Sequence, residues 1–165
     1  MAEAPISTAN GIWTPELPVT EWRSVERFEE AMAAARAVRR RAYAPYSGFH
    51  VGAAVLMDGE IVPGCNVENA SYGGTICAER SAIFSAVSAG HRKLDLVAIS
   101  TDACDEPAIE NRSPCGFCRQ VIAEFADSET VVLLDAGESA DYQFVGNLLR
   151  FDQLLPWRFD LGGRS

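Results

Sequence analysis

Four residues in two short segments raise the question of chemistry. Cys115 and Cys118 form a Cys-x-x-Cys pair in "SPCGFCRQV", behind Pro114, and Cys77 and Glu79 open the segment "CAERSAIFSAVSAG". A Cys-x-x-Cys pair alone suits a redox dithiol, half of a structural zinc clamp or half of a catalytic metal site. A structural zinc site takes four protein ligands, commonly a second such pair or two closely spaced histidines. This chain offers neither, because its two histidines, His50 and His91, are isolated in the sequence. Cys77 can supply a third sulfur, and three sulfurs leave the fourth position of a tetrahedral zinc open, which marks a catalytic rather than a structural ion. Zinc in such a position brings the pKa of a bound water towards neutrality. Glu79, two residues after the first ligand, is then placed to carry protons as general acid and base. Alone, Glu79 would be a first-turn acid favoured by the helix dipole; the Cys77-x-Glu79 start taken with Pro114-Cys115-x-x-Cys118 reads instead as a hydrolytic zinc site with its proton carrier beside the ion.

Elements that can hold these residues are legible around them. "SVERFEEAMAAARAVRRRAY" has Val25, Phe28, Met32 and Ala35 at helical spacing, with acids early and arginines late. It ends where Pro45 and Gly48 impose a turn. "FHVGAAVLM" and "EIVPGC" read as strands of a hairpin joined by Asp58-Gly59. Helices follow from Cys77 to Gly90 and over "CGFCRQVIAEFA", so Cys77 and Cys115 both lie at helix starts, where positive dipole ends favour thiolates. "LDLVAIST" and "TVVLLD" read as buried strands, a further strand is expected around Tyr142 to Val145, and a short helical tail through "NLLRFDQLLP". Alternating helices and strands predict a three-layer α/β/α sandwich with a central sheet. Residues 1–20, with three of the eight prolines and little periodicity, read as a flexible N-terminal extension, and residues 21–165 as one domain.

The motifs resemble the cytidine deaminase family, the small free-nucleoside enzymes with three cysteine ligands. The likeness runs from "AYAPYSGFHVGAAVL" through "GCNVENASYGGTICAERSAIFSAV" and "SPCGFCRQVI" to "LLPWRF". It implies a central mixed sheet, one zinc per chain, and hydrolytic deamination of cytidine and 2'-deoxycytidine to the uridines with release of ammonia, as in pyrimidine salvage. Glu79 would protonate the ring and then the leaving amine. Asn66 and Glu68 would hold the ribose hydroxyl, Phe49 would pack on the base, and Ala78 falls with the substrate-binding residues. The family further implies a homotetramer with shared sites, in which Ala70, Tyr72 and Phe159 come from neighbours; Trp157 and Arg158 replace the small residues expected before Phe159. Arg80, after the catalytic Glu, would donate to the ligand sulfurs. Three thiolates and a divalent zinc carry a net negative charge, which a guanidinium can offset; a surface ion pair is the alternative. Cys65 reads as a small packing residue and Cys104 as a loop thiol.

Two other classes stay open on the residues alone: a thiol redox protein using Cys115 and Cys118, and a zinc-stabilised interaction module. Within the deaminases, the alternative substrate is a related aminopyrimidine such as a nucleoside antibiotic. Composition narrows the setting. A net charge of −9 without a basic stripe disfavours polynucleotide partners. No apolar run approaches a membrane span, the start lacks the pattern of a secretory signal, and five unevenly spaced cysteines suit a reducing compartment. The expected location is the cytoplasm.

Overall fold

A computed structural model of the chain describes residues 4–16 and 22–161. The expected hairpin is formed by β3 (Val51–Met57) and β4 (Glu60–Cys65). Between them Asp58 and Gly59 both take positive φ, 48° and 86°, the two-residue turn that the right-handed strand twist favours. The long helical pattern gives α1 (Phe28–Arg39), preceded by a 3-10 turn over Val25–Arg27. Helix α2 (Ala78–Ser88), strand β5 (Leu94–Thr101), helix α3 (Gly116–Ala123) and strand β6 (Ala126–Asp135) follow where the sequence places them.

Two expectations fail. "NLLR" is not helical: it belongs to β7 (Phe144–Arg150), antiparallel to β6, and only Phe151–Leu154 form helix α4. Residues 1–20 were expected to lie outside the core, yet β1 (Ile6–Ser7) and β2 (Gly11–Pro15) join the sheet, β2 running parallel to β7. Residues 1–3 and 17–20 of that segment lie outside the described residues. Trp13 explains the second difference. It is fully buried, meets Phe28 edge-on at 5.6 Å and donates its indole N–H to Thr8 Oγ1 at 3.2 Å. A single tryptophan thus supplies the apolar area that a short strand without repeated pattern otherwise lacks. Trp13→Ala is expected to destabilise the protein by about 3–5 kcal/mol, read from denaturant unfolding.

The described strands form one mixed sheet in the order β1-β2-β7-β6-β5-β3-β4. Alternation along the central strands splits the core into two layers. Leu56, Leu96, Ala98, Val131 and Leu133 face α1 and Trp13, while Val55, Val97, Ile99, Val132 and Leu134 face α2, α3 and α4. The three-layer expectation therefore holds. Close approach of helix and sheet rests on two glycines. A Cβ on Gly52 would lie 2.1 Å from the Ala35 carbonyl oxygen of α1, and one on Gly64 would lie 2.3 Å from the Ala82 nitrogen of α2. The second contact sets the height of α2, whose amino end carries Cys77 and Glu79. Among the described residues no helix is long and apolar enough to cross a membrane.

Candidate zinc and active site

Two helices aim their amino ends at one point. Cys77 is the residue that caps α2 and Cys115 the one that caps α3, each with extended backbone, and Cys118 lies in the first turn of α3. The chain enters both helices from loops, so the sulfurs project beyond the unpaired N–H groups of the first turns. Cys77 Sγ and Cys115 Sγ are 3.9 Å apart, Cys115 Sγ and Cys118 Sγ 3.5 Å, and all three sulfurs lie within 4.8 Å of one another. A tetrahedral zinc at ~2.3 Å from each sulfur would separate them by roughly 3.8 Å. The donor set and its spacing fit that ion.

The electrostatics of the cluster favour the thiolate at Cys77. Cys77 is drawn down to about 5, first by the hydrogen bond from Cys118 and then, against its burial, by Arg80. Cys118 moves the opposite way, pushed well up by the same shared hydrogen bond, by burial and by the negative charge of Glu79. Arg80 reaches the cluster as the sequence suggests: its Nη2 donates to Cys77 Sγ at 3.4 Å and to the Thr75 carbonyl at 3.1 Å. Its guanidinium lies 5.7 Å from the Phe117 ring centroid. Glu79 is 4% exposed. Burial raises its carboxyl to about 7, and the Cys77 thiolate adds to the rise. A carboxyl near neutrality can both accept and return a proton.

Cys77, Cys115 and Glu79 line a cavity of about 310 Å³, whose wall also includes Phe49, Asn66 and Glu68, while Cys118 is buried behind it. Asn66 is fixed by two backbone bonds: its Oδ1 accepts the Val51 N–H at 2.8 Å and its Nδ2 donates to the Phe49 carbonyl at 2.9 Å. One amide hydrogen is left for a ligand. Glu68 accepts the Tyr46 and Ser47 N–H groups at 2.8 and 3.2 Å and also the Ser47 hydroxyl. The Ser47 hydroxyl, then the Tyr46 N–H, hold its carboxyl below the usual range. It is an acceptor in a fixed place, suited to a hydroxyl donor.

Other expected contacts lie elsewhere. Ala78 is fully buried and absent from the cavity wall, so its side chain does not face a ligand there. Ala70 is exposed, and Tyr72 is 78% exposed beside Tyr46, at the edge of a second depression that shares Glu68 and Ser47. Phe159 is 66% exposed, and its carbonyl accepts from Gln120 of α3 at 3.1 Å. Cys65 and Cys104 stay outside the cluster; Cys65 donates to the Arg41 carbonyl at 3.6 Å, and Cys104 accepts from Arg39 at 3.8 Å. The cavity wall also contains Thr75, Thr101, Asn111, Arg112 and Ser113, which sequence reasoning passed over. Thr101 ends β5, and the carboxyl ends of parallel strands are where α/β sheets hold ligands. Arg112 and Ser113 directly precede the Pro-Cys motif, a proximity that could have drawn attention to them.

A mixed sheet that sets two helix amino ends, three clustered cysteines and a buried glutamate beside one cavity has the layout of a zinc-dependent deaminase site. The family model described as "Cytidine and deoxycytidylate deaminase zinc-binding region" matches residues 25–134, and the chain belongs to that family. A cytidine deaminase from Sporosarcina psychrophila is 49% identical over 107 residues, 64% of this chain and 75% of the relative. One from Halalkalibacterium halodurans is 53% identical over 97 residues, covering 58% of this chain and 70% of the relative. Among solved structures, the cytidine deaminase from Burkholderia pseudomallei superposes with a TM-score of 0.66 at 39% identity, over 79% of this chain and 98% of the other.

Proposed function

We propose that the protein catalyses hydrolytic deamination of cytidine and 2'-deoxycytidine to the corresponding uridines and ammonia, as a step of pyrimidine salvage. The observation that carries this reading is a cluster of three sulfurs, two of them from residues lining the cavity, beside a buried Glu79 in the same cavity that presents Asn66 and Glu68. Cys77, Cys115 and Cys118 would hold one zinc, which would supply Lewis-acid activation of the attacking water, while protonation of N3 makes the ring carbon C4 electrophilic.

Every proton movement falls to Glu79. Its carboxylate takes a proton from the attacking water and delivers it to N3 of the ring. It then takes the second water-derived proton and delivers it to the 4-amino group, whose bond to C4 breaks as ammonia leaves. Water has then been added and ammonia lost, so the atoms balance. Phe49 covers a face of the base, while Asn66 and Glu68 bind the ribose. A free base lacks the hydroxyl to which Asn66 donates and from which Glu68 accepts, so cytosine should be a poor substrate.

Arg80 lowers the negative charge of the thiolate cluster through its bond to Cys77. Arg80→Ala is expected to keep one zinc per chain while lowering kcat about 10- to 100-fold, measured by metal analysis and turnover on the same sample. Normal turnover would leave Arg80 with the surface role alone.

The protein acts as a homotetramer in the cytoplasm, with Ala70, Tyr72 and Phe159 completing sites on neighbouring chains. Support comes from their exposure here and from other exposed aromatics, including Trp157 at 94% and Phe117 at 78%. The substrate assignment is tested by comparing turnover of cytidine, deoxycytidine, cytidine monophosphate, cytosine and an aminopyrimidine nucleoside antibiotic. Efficient turnover of the first two is expected; a preference for the antibiotic would overturn it.

A further inference from the structure

The deamination reading leaves one charged residue of the cavity wall without a task. Arg112 lines the same cavity as Glu79 and Cys115, is 4% exposed, and lies three residues before Cys115. A buried guanidinium usually faces a carboxylate, because an unpaired charge inside a protein is costly. Among the described residues Arg112 faces none directly. Its Nη1 donates to the Asp135 carbonyl and to Asn147 Oδ1, both at 2.9 Å, and its Nε is buried without a partner. The Asp135 carboxylate is committed elsewhere, to Arg36 at 2.6 and 2.9 Å, the Ser100 hydroxyl at 2.6 Å and the Gly137 N–H at 3.0 Å.

A carboxylate does reach Arg112 through one intermediary. Asn147 Nδ2 donates to Glu16 Oε1 at 2.5 Å, and Glu16 is anchored by its own N–H on the Leu148 carbonyl at 3.0 Å. An ionised carboxylate only accepts and a guanidinium only donates. Glu16 and Arg112 therefore determine which way the Asn147 amide points. The relay joins the end of β2, the middle of β7 and the loop that leads through Ser113 and Pro114 to Cys115. Arg119 holds the other side of that loop, donating to the Pro114 carbonyl at 2.7 Å, the Ser113 hydroxyl at 3.0 Å and the Leu154 carbonyl at 3.1 Å. The loop before the second zinc ligand is thus clamped between two arginines. The family-matched region, residues 25–134, contains Arg112 but neither Glu16 nor Asn147.

We propose that Arg112 is a positioning residue for Cys115, held by a relay through Asn147 from Glu16, so that the N-terminal strand segment is part of the scaffold of the zinc site. This rests on the zinc reading above. Arg112→Met is the direct variant, and Asn147→Leu, Glu16→Ala and Glu16→Gln probe the relay without touching the cavity wall. Glutamine retains an oxygen that can accept from Asn147, so Glu16→Gln is the conservative rescue.

The test measures, on full-length zinc-loaded protein, the rate of zinc release to a colorimetric chelator alongside kcat and KM for cytidine. Asn147→Leu is expected to release zinc about tenfold faster than the unmodified chain. Glu16→Ala should shift in the same direction by a smaller factor, and Glu16→Gln should behave as the unmodified chain. Unchanged zinc release and kcat/KM in both Asn147→Leu and Glu16→Ala, whatever their melting temperatures, would overturn the proposal. Zinc release reads the relay even in a chain that turns over no nucleoside. Failure of the deaminase reading would instead appear as absent turnover in the unmodified chain.

Discussion

Glu79→Gln is expected to bind zinc and nucleoside as the unmodified protein does and to lower kcat by ~10³- to 10⁴-fold, the upper part of what a general acid–base residue contributes. Glutamine preserves the shape of the side chain and its place in the first turn of α2, but it cannot exchange a proton. The size of the effect follows from the double duty of one carboxyl, which serves both N3 and the leaving amine. Burial makes Glu79 fit for this, because a carboxyl raised to about 7 is poised between its two forms. Steady-state kinetics with parallel zinc analysis checks the prediction. A loss of zinc in this variant would mean that Glu79 holds the ion rather than the proton.

Cys115→Ala should have the other large effect, and on a different quantity. With one sulfur gone, two thiolates remain and the site no longer retains zinc through dialysis; turnover falls by at least ~10³-fold as the metal leaves. Cys115 is the exposed member of the cluster and Cys118 the buried one, so the substitution opens no core cavity. The protein should therefore stay folded, with unchanged far-ultraviolet circular dichroism. Loss of zinc with retention of fold separates this variant from Glu79→Gln, where zinc stays and chemistry goes. A thiol redox protein would behave differently, since removing Cys115 would abolish a disulfide with Cys118 and leave metal content irrelevant.

The parts of the fold and site that sequence disclosed share a physical character. Cys77, Glu79, Cys115 and Cys118 sit within two short helix starts, so local spacing already determines which side chains share a helix end. The hairpin announced itself through Asp58-Gly59, a turn that few other dipeptides can adopt. The parts that stayed hidden depend on contacts between distant segments. Strand β2 is legible only once Trp13 is seen against Phe28, and β7 only once "NLLR" is paired with β6. "NLLR" has no alternating pattern over its own length, and leucine and arginine are good helix formers, so propensity pointed the wrong way until the sheet overrode it. Arg112 is the clearest instance among the site residues. Its partners lie 23 and 35 residues away, at Asp135 and Asn147, and no local motif marks the relay. Ala70, Tyr72 and Phe159 lie on the exposed surface of the chain and not in the wall of its cavity, so nothing local in the sequence says what they meet.

Zinc-dependent deamination is tested most directly by the stoichiometry of products formed from cytidine by the zinc-loaded protein, before and after removal and return of the metal. Equal amounts of uridine and ammonia are expected, lost when zinc is removed and recovered when it is restored. Cytidine left intact by protein that holds one zinc per chain would contradict this expectation.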